Sequence, residues 1–279
     1  MINPRLVKAW SFESQFEGGD EPVFLVDNTL RDGDQTAGVV FAGTEKIRIA
    51  RLLNEIGVQE METGSPWLCP EEREVMAEIS SLGLSAKCLA FCRAEPDDIA
   101  LAKECGVDGV VISCSTSRIH IEKKYGQTRQ WVLDRVRETA EAAKDLGLPF
   151  VISAEDASRT NMEFLLHFAV QAEELGAARF RFCDSLAVLD PFTAFQQVQT
   201  ILQAINLDVE VHCHNDFGMA TANSIAGYRA GARYITVSVN GLGERTGNAA
   251  LRRSSWLSNI STASTWASRP RASARSRST

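Results

Sequence analysis

The chain has 279 residues, 44% hydrophobic and 23% charged, a balance that fits one or two globular domains and excludes disordered, collagenous and coiled-coil classes. Its net charge of −7 divides into −13 on residues 1–251 and six arginines without a single acid over 252–279, and so acidic a body is excluded as a binder of phosphate backbones. No run of about 18 apolar residues occurs, and the first twenty residues place charges where a signal peptide has its apolar core, so a cytoplasmic protein without membrane contact is expected. Seven cysteines lie scattered with no C-x-x-C pair, which suggests reduced, mostly buried thiols.

Residues 1–21 read as an N-terminal extension. Short β-branched runs then recur at 23–30, 58–64, 86–92, 108–115, 149–156, 178–185, 209–216 and 233–241, giving eight predicted strands. Segments with helical spacing separate them, among them 44–57, 71–83 and 128–147, several ending at a glycine. Strand and helix alternate throughout 22–251, which predicts an α/β fold, either a (β/α)8 TIM barrel or a doubly wound open sheet. Polar residues decide between them: Arg31 and Asp32, Glu62, Glu155 and Asp156, Asp184 and Ser185, His212 and His214, and Asn240 all stand at C-terminal strand ends. A barrel gathers those ends at one mouth, whereas an open sheet spreads them along a line.

Three clusters carry possible chemistry. His212 and His214 flank Cys213 in a predicted strand, so their side chains share a face and can bind one metal. In the segment Asp27-Asn28-Thr29-Leu30-Arg31-Asp32-Gly33-Asp34-Gln35 an apolar strand ends in a guanidinium beside a carboxylate. If the first and seventh strands open on one mouth, Asp32 completes an aspartate and two-histidine site suited to Mn, Zn, Co, Fe or Mg. After the last strand comes Asn240-Gly241-Leu242-Gly243-Glu244-Arg245-Thr246-Gly247-Asn248, a glycine-rich loop of the kind that lets backbone amides approach an anion.

Together the motifs D-x-T-L-R-[DE]-G, H-x-H-[ND]-D and N-G-x-G-E-R-x-G-N resemble the acyl-CoA condensing enzymes of the DRE-TIM metallolyase superfamily over about residues 22–251. That group includes isopropylmalate, citramalate and homocitrate synthases. The segments Glu62-Thr63-Gly64-Ser65-Pro66 and Glu155-Asp156-Ala157-Ser158-Arg159 look most like nitrogenase-associated homocitrate synthases. The resemblance implies Claisen condensation of acetyl-CoA with 2-oxoglutarate at a divalent metal. Isopropylmalate or citramalate synthesis, superfamily lyase or aldolase chemistry, and an inactive remnant are the alternatives. Asp32, His212 and His214 become metal ligands with Asn240 near or on the metal. Arg31 and Glu155 become catalytic, while Gln35, Glu62, Arg93, Ser153 and Ser185 shape the oxo-acid pocket. Gly241 and Gly243 are expected to contact the cofactor. One departure is Ser185, where the family places a threonine after the aspartate. Partners are expected to be small molecules, with a homodimer in complete members.

From Arg252 the chain reads RRSSWLSNISTASTWASRPRASARSRST, in which 18 of 28 residues are Arg, Ser or Thr and no apolar helical face can be traced. The eighth helix of the barrel belongs there. Synonymous codons for Leu251–Ser268 allow one inserted nucleotide to convert the segment into L-E-E-V-V-M-A-L-K-H-I-Y-G-I-D-M-G-I, an amphipathic helix ending at glycine. The expectation is a frame-shifted, truncated chain lacking the family's C-terminal subdomains. It would keep the metal ligands and have weak or no condensing activity.

Overall fold

The structure is a computed structural model, and residues 23–255 are described. The extension at 1–21 and the tail beyond Ser255 lie outside these residues.

Eight parallel strands form a closed barrel in chain order: β1 (Phe24–Asp27), β2 (Glu60–Gly64), β3 (Lys87–Arg93), β4 (Gly109–Ser115), β5 (Phe150–Glu155), β6 (Arg179–Asp184), β7 (Val209–Cys213) and β8 (Tyr234–Val237). Pairing of β1 with β8, from Phe24 with Tyr234 to Asp27 with Val237, closes the cycle and excludes the open sheet. Among the described residues, the complete α-helices that cover it are α1 (Gly43–Glu55), α2 (Pro70–Ser80), α3 (Pro96–Glu104), α4 (Arg129–Asp145), α5 (Met162–Glu174), α6 (Pro191–Leu202) and α7 (Ala220–Arg229). Their starts follow local chemistry. Pro70, Pro96 and Pro191 occupy first turns, where a missing N–H costs nothing, and the side chains of Thr128, Asn161 and Asp190 accept from first-turn amides. Gly147, at φ 67°, takes the left-handed turn that releases α4 toward β5. Residues 251–255 are helical, in the place where the eighth helix begins.

Between strands and helices lies the main apolar core, in which Phe168, Phe180 and Ile112 are almost fully buried. Inside the barrel the walls differ. Val26, Leu89, Val111 and Val151, from β1, β3, β4 and β5, pack together, while β2, β6 and β7 face one another with charge. Arg179 binds Glu60 at 2.7 Å and Glu210 at 2.6 Å. Arg181 binds Glu210 at 2.7 Å and Glu62 at 2.5 Å, and Glu62 accepts from Arg31 Nε at 2.6 Å. Thr236 donates to Glu210 at 2.6 Å. An alternating column of charge thus runs up one side of the barrel axis to Arg31. Each buried charge has a partner, the condition under which an interior tolerates it.

Asp27, at the end of β1, is completely buried and accepts from the Thr29 amide at 2.8 Å. Burial pushes its carboxyl up to about 7, with Glu62 adding to the rise against the Thr29 bonds. A folded-state value above the ordinary 3.8 means that folding favours the proton. This group's contribution is full below pH 3.8 and is lost as pH rises through 7. Asp27→Asn keeps the acceptor for Thr29 and removes the ionisation. Urea melts of the two proteins across pH 4–8 are expected to show the variant gaining on wild type by up to a few kcal/mol as pH rises. A pH-independent difference would refute the assignment.

Candidate active site

Asp32, in the turn after β1, meets His212 on β7 and His214 just beyond it. Strand β7 ends at Cys213, one residue short of His214, and an isolated bridge to Asn248 fixes that residue instead. Asp32 Oδ2 lies 3.5 Å from His212 Nε2 and 3.7 Å from His214 Nε2, and the two Nε2 atoms are 3.1 Å apart. Burial lowers both imidazoles from 6.5, His212 by more, so each presents a neutral lone pair. Burial opposes the Asp32 charge, yet Arg31 beside it and the two rings hold the carboxyl down at about 2. Two neutral imidazoles and a carboxylate with converging donor atoms match the ligand set of a divalent transition metal with positions left open. Among the described residues this is the cluster that could hold an ion.

The triad borders a cavity of about 500 Å³ at the C-terminal mouth. Of the residues predicted to build the site, Arg31, Gln35, Arg93, Ser153, Glu155 and Ser185 line this cavity along with Asp32, His212 and His214. Arg31 lies over the Phe91 ring at 4.1 Å. Burial works against its charge, but Glu62 and Asp32 more than offset this and raise its pKa. Arg93 is held by Asp98 through two bonds of 2.8 and 3.0 Å and stacks on Trp67. Ser153 Oγ sits 3.3 Å from Cys183 Sγ, and Ser185 Oγ accepts from the Asp156 amide at 2.8 Å. Glu155, at the end of β5, accepts from Lys124 Nζ at 2.9 Å.

Four expectations fail geometrically. Glu62 does not line the cavity: it is completely buried beneath it, its oxygens held by Arg31 and Arg181. Asn240 is exposed, takes φ 56° in a turn after β8 and does not line the cavity that the triad borders. The carboxamide near the triad belongs to Asn248. It is 2% exposed, donates to the Leu242 carbonyl at 3.0 Å, and has no hydrogen-bond partner for Oδ1. Gly241 and Gly243 do not offer amides to an anion, because those N–H groups already bond Ser238 O and Thr36 Oγ1. Gly243 serves close approach instead, since a Cβ there would stand 2.3 Å from Asn248 Nδ2 and 3.1 Å from Asp32 Oδ1. The next amide, of Glu244, donates to Asp32 Oδ1 at 2.9 Å. The glycine loop therefore clamps the Asp32 carboxylate. Sequence reading also missed Arg181, Lys124, Trp67 and Tyr125 in the cavity wall. Six of the seven cysteines are buried, Cys69 is exposed, and none is paired.

The chain matches the HMGL-like family over residues 22–264 and belongs to it. It is 55% identical over 232 residues to 2-isopropylmalate synthase 2 of Caldanaerobacter subterraneus, covering 83% of this chain and 60% of that one. Homocitrate synthase 1 of Nostoc sp. is 48% identical over 229 residues, with 82% and 61% covered. Homocitrate synthase subunit alpha of Clostridium pasteurianum is 36% identical over 224 residues, with 80% and 83% covered. The chain thus spans about three-fifths of the first two relatives. In fold it is similar to HMG-CoA lyase from Bacillus subtilis, at TM-score 0.77 and 18% identity over 86% of this chain and 87% of that one. A hydroxymethylglutaryl-CoA lyase from Pseudomonas aeruginosa gives 0.75 and 22%, with 87% of each covered. No helix among the described residues is long and apolar enough to cross a membrane.

Proposed function

We propose that this chain carries the catalytic barrel of an acetyl-CoA-dependent condensing enzyme acting on a 2-oxo acid, with 2-oxoglutarate as the acid and homocitrate as the product. The observation that carries the reading is the convergence of Asp32, His212 and His214 beside Arg31 at the floor of one cavity. Relatives named homocitrate, isopropylmalate and citramalate synthase support the reaction class. Asp32, His212 and His214 would hold a divalent cation, with Asn248 beside them. When bound, such a cation supplies Lewis acidity at the keto oxygen. Arg31, fixed by Glu62, faces the negative charge that grows on that oxygen as the acetyl methyl carbon adds to the keto carbon. Glu155, which lines the same cavity, would move a proton at that methyl group. Ser153 and Ser185 orient the oxo acid by hydrogen bonding. Isopropylmalate synthesis is the second reading, favoured by the 55% identity to the Caldanaerobacter enzyme. Resemblance to nitrogenase-associated members extends the proposal to nitrogen fixation, and a homodimer to the complete protein.

Calorimetric titration of the Mg²⁺-saturated chain with 2-oxoglutarate, 2-oxoisovalerate and pyruvate tests the class. Metal-dependent binding of an oxo acid is expected, with 2-oxoglutarate strongest. Absence of binding to all three with metal present refutes it.

A further inference from the structure

The loop at 240–248 touches the triad at two places. The Glu244 amide donates to Asp32 Oδ1 at 2.9 Å, and Asn248 forms the bridge to His214. Those two residues belong to the ends of β1 and β7, which flank β8 on opposite sides of the closed barrel, so a loop that sets both needs an anchor toward each. Toward β1 the anchor is Thr36, whose Oγ1 accepts from the Gly243 amide at 2.8 Å and donates to the Gly243 carbonyl at 3.2 Å.

Toward β7 the anchor is one side chain. Arg245 Nε donates to Asp216 Oδ1 at 2.9 Å and Nη2 to Oδ2 at 3.0 Å, a bidentate grip on the residue two beyond His214. Nη2 also donates to the carbonyl of Ser185, the residue after β6, at 2.6 Å, and Nη1 donates to the Glu244 carboxylate at 3.3 Å. One guanidinium therefore ties the ends of β6, β7 and β8. The backbone of Arg245 stands at φ 56°, the left-handed conformation that suits glycine and disfavours a side chain. An arginine held there in spite of that conformation serves through its fork of donors, which can grip a carboxylate and a carbonyl on separate strand ends at once.

We propose that Arg245 is a positioning residue of the Asp32, His212 and His214 site: by pinning Asp216 and Ser185 to the last loop, it sets the spacing between the carboxylate that Glu244 holds and the histidine that Asn248 bridges. The proposal rests on the reading of that triad as a metal centre and deepens it. Arg245 acts through Asp216 and through the loop, not as a ligand. Loss of a residue that supports a ligand in this way weakens metal binding by about 10- to 100-fold.

The test titrates Co²⁺ into the metal-free full chain for wild type, Arg245→Gln, Arg245→Lys, Asp216→Ala and the Arg245→Gln/Asp216→Ala double variant, and records thermal melting of each before metal is added. Arg245→Gln is expected to weaken Co²⁺ binding by about 10- to 100-fold. Arg245→Lys, a point charge in place of a fork, should recover only part of that loss. Because Arg245 and Asp216 act through one contact, the double variant should lose no more than the worse single variant. Wild-type affinity in Arg245→Gln overturns the proposal, and so does a lowered melting temperature with affinity intact, which would make Arg245 a purely structural tie. Losses that multiply in the double variant overturn it also, since the two residues would then act apart. Wild type without affinity for Co²⁺ refutes the metal centre itself, a result distinct from these. If Arg245→Gln does not fold, Asp216→Ala, which keeps the arginine and its bond to Ser185, decides: weakened Co²⁺ binding supports the proposal and wild-type affinity overturns it.

Discussion

Affinity for Mn²⁺ or Mg²⁺ will fall by at least about 100-fold when Asp32 is replaced by Asn or His214 by Ala, since losing a metal ligand exceeds the 10- to 100-fold cost of losing a residue that only supports one. The donor atoms already lie within 4.8 Å of one another, so the wild-type site needs little rearrangement to close on an ion. The same titration separates the two asparagines of the last loop. Asn248→Ala is expected to weaken binding by about 10- to 100-fold, because its buried Oδ1 lacks a partner and its backbone bridges His214. Asn240→Ala, at an exposed turn position, should leave affinity unchanged. Equal affinities for wild type and His214→Ala would refute the metal centre, and a loss in Asn240→Ala matching that in Asn248→Ala would refute the assignment of the loop.

Arg181→Met is expected to destabilise the folded chain by about 3–5 kcal/mol, the effect of breaking a buried ion pair and stranding its partners. Arg181 is completely buried and bridges Glu62 to Glu210. Burial disfavours its charge, yet the two glutamates more than compensate and raise its pKa, while Glu210 is held down at about 2 against burial by Arg181 and Arg179. Methionine fills much of the volume but leaves Glu62 with Arg31 alone and Glu210 with Arg179 and Thr236, each buried carboxylate short of one cation. Set against a total stability of roughly 5–15 kcal/mol, that loss is a large fraction. Adding Glu210→Gln to Arg181→Met should restore part of it, because one stranded charge is then gone. A urea-melt difference below about 1 kcal/mol for the single variant would show that water or rearrangement satisfies the glutamates.

The difference between Arg181 and His212 shows what the sequence carries. Asp32, His212 and His214 were legible because strand periodicity puts the two histidines on one face and barrel closure brings the first and seventh strand ends together. The barrel itself was legible from eight alternating units. Arg181 was not. In ARFRFCDS the ordinary expectation turns phenylalanines inward and arginines to water. A barrel has two buried faces, and here Phe180 and Phe182 lie under the helices while Arg179 and Arg181 fill the axis. Glu62 was placed in the substrate pocket for the same reason, since its partner 119 residues onward, Arg181, leaves no local trace. Asn240 and Asn248 both belong to one motif, and only the positive φ at Asn240 shows which turns away.

The charged column along the axis also constrains how the chain reaches its native state. Glu60 on β2 finds its arginine on β6, 119 residues onward, and Glu62 finds there the second of its two, the first being Arg31. A nascent or truncated chain that stops after β5 would carry Glu60 without its arginine and Glu62 with Arg31 alone, so the first five strands gain less from curling shut. Closure must wait for β6 and β7, which favours late, all-or-none completion over stepwise addition of half-barrels.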